Sequence, residues 1–328
     1  MRARSLALVS LLTACGSSSA SPGAESSADG GEDARPDATS SDSSVDVGVD
    51  TGTDAGSSMD AADGTSPSDA ASDTSTDLDA GSCAFPDAFA PTVNRFVPGT
   101  ITATIDDLTG APVAGFFAIL CGTDLCAGSV TTNGTGALTT TQTFAVDNPA
   151  LRFGDSLAYP EFILPVTTAG ESLGTLHTAA FPTTGVAFMP GTSVASGPLT
   201  LTLAAGGTAE VDTLNYSTPS EQLFRAVDLP IGMAPVDATV GLEIVIGTTP
   251  LETLFCPPVQ ASVPNSGGWA AGTAVDFYAL GTDVSSYFAP WAGWAVISTG
   301  HVSADGASIA TDPGAGLSVL TNLGIRRH

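Results

Sequence analysis

From Cys83 onward, apolar residues recur at every second position in short runs. Ile101, Ala103 and Ile105 alternate with threonines, as expected of a strand with one face in a core and one in water. Leu199, Leu201 and Leu203 repeat the pattern, as do Val240, Leu242, Ile244 and Ile246. Beyond the first fifteen residues no helix-length stretch carries a 3.6-residue apolar period. Turn formers punctuate the runs at Asp106-Asp107-Leu108-Thr109-Gly110, Asn133-Gly134 and Asp305-Gly306, sites suited to tight turns and left-handed glycines. Many short strands between such turns predict an all-β fold of sandwich or barrel type.

Residues 16–82 read differently. They are almost entirely Ser, Ala, Gly, Asp and Thr, with fifteen acidic side chains against the single Arg35. Such a segment buries too little apolar surface to offset the entropy of ordering it, so a disordered, self-repelling spacer is expected. Its root-mean-square reach is roughly 45 Å. Asp42, Asp46, Asp50 and Asp54 recur every four residues, whereas a calcium loop of the EF-hand kind needs ligands at alternate positions. The layout predicted is a leader over 1–14, an acidic linker over 15–82, and two β-sandwich modules over 83–182 and 183–328.

Arg2 and Arg4, an apolar run from Leu6 to Leu12, and then Thr13-Ala14-Cys15-Gly16 resemble the leader and lipobox of bacterial lipoproteins. The run is too short to span a bilayer, which takes about 20 apolar residues. The resemblance implies cleavage before Cys15 and acylation of its thiol. Two or more acyl chains then anchor the protein to the membrane. Gly16 after the cysteine implies the outer membrane, with the folded part facing the cell surface or the periplasm.

The order strand, Asp106-Asp107-Leu108-Thr109-Gly110-Ala111-Pro112-Val113-Ala114-Gly115, strand, then Thr131-Thr132-Asn133-Gly134-Thr135-Gly136 resembles the transthyretin-like, carboxypeptidase-regulatory-like β-sandwich. That family implies a non-catalytic accessory domain; the Cys121–Cys126 stretch departs from its pattern. Trp294, Gly300-His301-Val302-Ser303-Ala304-Asp305-Gly306 and Asp312-Pro313-Gly314-Ala315-Gly316 look like a β module of large bacterial surface proteins and teneurin- or Rhs-like chains. This second resemblance covers roughly 258–317 and implies an architecture rather than a reaction.

Charge and side-chain chemistry narrow the function classes. With 34 acidic and 8 basic residues the formal charge is −26, and every basic residue is arginine. No lysine is present for a P-loop or a Schiff base, and a phosphate backbone would be repelled, so no nucleic-acid partner is expected. Setting Cys15 aside leaves Cys83, Cys121, Cys126 and Cys256, an even number that allows three disulfide pairings in an exported chain. Cys121–Cys126, closing a hairpin, and Cys83–Cys256, pinning the start of the folded part, are favoured over zinc ligation. His177, His301 and His328 fall in no metalloprotease pattern, and the adjacent Asp106 and Asp107 suit a turn better than an acid–base pair. No catalytic residue, metal or cofactor is expected. Tyr287, Trp291 and Trp294 lie within eight residues and are either core aromatics or a sugar-stacking platform. The sequence therefore predicts a non-catalytic, lipid-anchored envelope protein displaying β modules for adhesion or protein interaction, with an envelope protein or a glycan as partner. A carbohydrate-binding module using the three aromatics is the alternative, and a hydrolase with a dispersed site the second alternative.

Overall fold

A computed structural model describes Cys83, Phe89 and residues 92–155, 157–282 and 287–328. Cys15, its lipobox and the acidic segment lie outside the described residues. The described residues from Cys83 to His328 belong to one compact unit, and apart from one short 3-10 turn their regular structure is strand.

Residues 92–182 supply β1 (Arg95–Phe96), β2 (Gly99–Asp107), β3 (Phe117–Cys121), β4 (Cys126–Thr131), β5 (Ala137–Gln142), β6 (Val146–Asp147), β7 (Ala150–Asp155), β8 (Tyr159–Pro165) and β9 (Ser172–Thr178). They form a three-stranded sheet β5-β2-β9, a four-stranded sheet β4-β3-β7-β8 and the small pair β1-β6. The threonine alternation of β2 works as read, with Ile101, Ala103 and Ile105 buried. Two turns use the same device. The Asp107 Oδ1 accepts from the Thr109 backbone and hydroxyl and from the Ala111 N–H, at 2.8, 2.6 and 3.0 Å. Asn133 Oδ1 does the same with Thr135 and Ala137, at 2.9, 2.8 and 3.1 Å. A short side-chain acceptor thus replaces backbone partners where the chain reverses. The hydrogen bond from the Thr109 hydroxyl holds the Asp107 carboxyl below its ordinary pKa, so the second of the paired acids closes a loop.

Residues 183–328 supply β10 (Ser193–Ser196), β11 (Leu199–Thr202), β12 (Thr208–Glu210), β13 (Arg225–Leu229), β14 (Ile244–Thr249), β15 (Thr253–Pro264), β16 (Ala274–Leu280), β17 (Trp294–Val302), β18 (Ser308–Thr311), β19 (Leu317–Leu320) and β20 (Leu323–Arg327). They join in one sheet ordered β10-β11-β15-β18-β17-β16-β20-β14-β13, with β12 and β19 both paired to β15. The sheet curls until its ends meet. At that seam the Ala226 N–H donates to Ser196 Oγ at 3.1 Å, and Gly197 approaches the Ala226 carbonyl too closely for any Cβ. The enclosed core includes Leu199, Leu201, Phe224, Ile246, Phe277, Ile309 and Ile325. The alternation beginning at Val240 is strand only from Ile244. Ala238–Val240 is a 3-10 turn, because Asp237 caps it through the Thr239 N–H and Gly241 ends it at φ 71°. A left-handed glycine inside an apolar alternation breaks the strand there.

β14 is covered on both faces. Ile244 and Ile246 belong to the core of the curled sheet. Val245 belongs to a second cluster, shared with Ile105, Phe116, Phe153 and Phe162 of the first half and with Leu229, Leu242, Tyr278 and Leu280 of the second. Gly247 lies directly against Pro160 of β8, where a Cβ would overlap the proline ring. We expect Gly247→Ala to lower stability by roughly 1–3 kcal/mol through overpacking, read as a lower urea midpoint. An unchanged midpoint would mean that the two halves separate without cost.

All four described cysteines are paired. Cys121 and Cys126 face each other across the β3–β4 hairpin with Cα atoms 3.9 Å apart, and Cys83 is joined to Cys256 of β15 with Cα atoms 5.6 Å apart. This is the pairing favoured from the sequence.

Candidate functional site

The most exposed large apolar side chain among the described residues is Leu214, 93% accessible. It sits on a turn that is firmly built. Asp212 accepts the Leu214 N–H at 2.8 Å and the Asn215 side-chain amide at 2.6 Å. The Tyr216 N–H donates to the Asp212 carbonyl at 2.9 Å. The buried Tyr216 ring ends in a hydroxyl oxygen that accepts the Leu251 N–H at 2.8 Å, and desolvation pushes that phenol well above its ordinary pKa. A rigid turn presenting an apolar tip to water has the character of a binding anchor more than of a frayed loop.

The turn separates two hollows. On one side is a cavity of about 290 Å³ walled by Leu254, Leu280, Phe288, Ala289 and Val319, with Asp212, Glu252 and Tyr287 among the residues lining it. Glu252 has a left-handed backbone at φ 60°, unusual for a residue other than glycine, asparagine or aspartate, and its N–H donates to the Leu320 carbonyl at 2.6 Å. On the other side, Phe117, Arg152, Asp155, Glu161, Asn215 and Tyr216 line a hollow of about 280 Å³. There the Arg152 Nη2 lies 2.7 Å from Glu161 Oε1. Burial works against the arginine charge, but the facing Glu161 carboxylate outweighs it and keeps the guanidinium pKa above its ordinary value.

The aromatic trio of the sequence does not form one surface. Tyr287, 43% accessible, lines the first cavity. Trp291 is 8% accessible and packs with Cys121, Ala150 and Ile163, and its indole N–H donates to the Asn148 carbonyl at 3.0 Å. Trp294 packs against the cluster shared by the two halves. The three histidines are also dispersed. His177 Nδ1 lies 3.2 Å from the Asp107 carbonyl, His301 Nδ1 lies 2.5 Å from Asp312, and His328 Nε2 lies 2.9 Å from Asp276. The hydrogen bond to His301 lowers the Asp312 pKa. The run Gly170-Glu171-Ser172-Leu173-Gly174 has the letters of a nucleophile elbow. Ser172 lies at the exposed start of β9, parallel to β2, not on the strand-to-helix turn that such an elbow requires. No group of three or more potential metal ligands exists among the described residues.

Every described arginine is engaged within the unit. Arg95 meets Asp124 and Asp147 at 3.1 and 2.8 Å, and Arg327 pairs with Glu243. The buried Arg225 donates to the Ser220 and Leu223 carbonyls at 3.0 and 3.3 Å, and Arg326 donates to the Val240 carbonyl at 3.0 Å.

No family model matches the chain, and no curated protein matches it. Among solved structures it is similar to two pilin subunits. The full-length major pilin SpaD from Corynebacterium diphtheriae has 9% identity and a TM-score of 0.20 over 70% of this chain. The major pilin subunit BcpA of Bacillus cereus has 12% identity and a TM-score of 0.20 over 71% of this chain and 88% of its own. The chain spans 56% of the length of the first. A likeness at that TM-score defines neither fold nor function.

Proposed function

We propose that this is a non-catalytic, lipid-anchored protein of the bacterial cell envelope that holds a disulfide-bonded β unit away from the membrane for protein interaction. The carrying observation is the fate of the cysteines. Of the five in the chain, four are joined as Cys83–Cys256 and Cys121–Cys126, and Cys15, at the lipobox position, is left over. Two disulfides suit an oxidising compartment outside the cytoplasm, and an odd cysteine in an exported chain needs a separate chemical role. Acylation supplies one. The acidic segment 16–82 then serves as the tether, and the outer membrane is the location implied by Gly16. Leu214 and the flanking hollows, with Tyr287 and Phe117 at their margins, have the aromatic and apolar character of an interface centre. The dispersal of Trp291 and Trp294 disfavours glycan stacking across the trio.

The test is fractionation of cells making the native chain or Cys15→Ser. Native protein is expected in the membrane fraction and the variant in the soluble fraction, both intact. Protease shaving of whole cells then separates surface from periplasmic display. A Cys15→Ser protein that stays with the membrane overturns the anchor.

A further inference from the structure

We propose that the outer edge of β9 takes up an extended segment of a partner protein as an added strand. The segment has apolar side chains at alternate positions and a lysine or arginine beside them. The proposal rests on the protein-interaction role above and names a surface and a partner chemistry for it.

β9 pairs with β2 on one side and, among the described residues, with no strand on the other. Neighbouring margins are covered instead. The Thr140 hydroxyl of β5 donates to the Gly128 carbonyl of β4 at 2.9 Å. Asn322 Nδ2 donates to the Glu161 carbonyl of β8, and the Ala226 N–H of β13 donates to Ser196 Oγ of β10 at 3.1 Å. An uncovered edge offers its outward N–H and C=O groups to another chain unless proline or charged side chains blunt it. β9 carries no proline, arginine or carboxylate, and beyond the irregularity near Gly174 its ladder to β2 is regular from Thr175 to Thr178.

The space beside this edge is a groove of about 420 Å³, and the consecutive residues Thr175, Leu176 and His177 all line it. Successive side chains of a strand point to opposite faces, so three in a row reach one hollow only where it runs along the strand edge. The facing wall is the turn 232–237, which satisfies its own backbone. The Met233 and Ala234 N–H groups donate to the Pro230 carbonyl at 2.8 and 2.9 Å, and the Val236 N–H donates to the Ala234 carbonyl at 2.8 Å. Leu164, Leu173, Leu176, Met233, Pro235 and Val236 make the walls apolar, which suits every second side chain of an added strand. Both lining stretches, 164–177 and 232–237, are described without a gap. Asp237 is the one carboxylate of the lining and no arginine is part of it, while His177 Nδ1 lies 3.2 Å from the Asp107 carbonyl. Asp237 is exposed and accepts the Thr239 N–H at 2.8 Å. A carboxylate has about four lone-pair sites, so it retains capacity for a cationic donor. Backbone edge, apolar groove and terminal carboxylate together specify the segment.

The experiment uses the full-length Cys15→Ser chain, purified, and synthetic peptides blocked at both ends. The probe KVTVTVK is expected to bind saturably at one site and to slow amide hydrogen exchange within 172–178. The same side chains on a backbone N-methylated at every Val and Thr should bind about tenfold more weakly or worse, because that peptide has few N–H groups to give to an edge. KVTVTVK should also bind severalfold more tightly than QVTVTVQ. Asp237→Asn, which keeps an acceptor for the Thr239 N–H, should remove that difference. Equal affinity of the methylated and unmethylated peptides overturns the proposal. So does the absence of saturable KVTVTVK binding to a chain with a normal thermal transition, or protection confined to segments other than 172–178. Those failures leave the anchor and tether standing, because these are read from the fractionation of native and Cys15→Ser cells. Failure of the anchor in turn leaves the peptide result unchanged.

Discussion

Replacing Cys83 and Cys256 by serine lowers the folding stability by about 5 kcal/mol on a chain-entropy argument, whereas replacing Cys121 and Cys126 costs about 2 kcal/mol. The difference comes from the unfolded state. The first bond joins residues 173 apart and the second residues 5 apart. A cross-link removes more conformational freedom from the denatured chain as the loop it closes grows, though only logarithmically. The long bond closes a loop containing all of β1 to β14 and ends on β15, the strand that pairs with β11, β12, β18 and β19. The short bond fixes a register that the β3–β4 hairpin already sets, since Cys121 and Cys126 are directly opposite. Urea unfolding of the two double-serine variants checks this. The Cys83/Cys256 variant should have the lower midpoint and the larger slope, because its denatured state expands further. An equal or reversed order would show that strain relief or residual structure dominates over loop entropy.

How much of this was legible depends on whether the cause is local. The β2 alternation, the Asp107 and Asn133 turns and the absence of long helices are set by neighbours within five residues, and all can be read directly. The Val240 to Ile246 alternation misleads at its start because apolar spacing says nothing about a capped turn. Asp237 and Gly241 carried that information. The curled sheet was not legible, because β11 meets β15 and β14 meets β20 across long separations that leave no local trace. The shared cluster of the two halves is hidden for the same reason: Val245 and Ile246 look equivalent in sequence yet serve different cores. Tyr287, Trp291 and Trp294 are neighbours in the chain and not in function, since strand pleating and the bend at Ala292, with φ 54°, send them to different surroundings. The Asp212–Tyr216 turn was missed, although an aspartate two residues before an exposed leucine is a recognisable local motif. What no local pattern conveys is that it stands between two hollows.

The second large effect is expected at Asn322, which is fully buried and near-symmetric in what it joins. Its Oδ1 accepts the Thr248 N–H at 2.9 Å, and its Nδ2 donates to the Glu161 carbonyl of β8. The β14–β20 ladder runs only from Ile244↔Ile325 to Ile246↔Leu323, so at Thr248 the amide side chain takes the place of a backbone partner. The same amide crosses to the first half of the unit. Asn322→Leu keeps the size and removes both bonds, leaving a buried N–H and a buried C=O unsatisfied at about 1–3 kcal/mol each. A loss of roughly 2–5 kcal/mol is expected, with little change in slope. Asn322→Asp separates the two bonds. It keeps the acceptor for Thr248, but without water its carboxyl pKa is raised above the ordinary value of about 3.9. An acid raised in the folded state binds its proton more tightly there than in the unfolded chain. Its contribution is therefore most favourable at pH below about 3.9 and is lost as pH rises toward the raised folded value. The Asn322→Asp chain should thus lose stability relative to native as pH increases from 4 to 8, while the Asn322→Leu deficit stays level across that range. Parallel pH profiles for the two variants would mean that water reaches position 322, and the bridge between β8 and β14 would then be ordinary solvated contact.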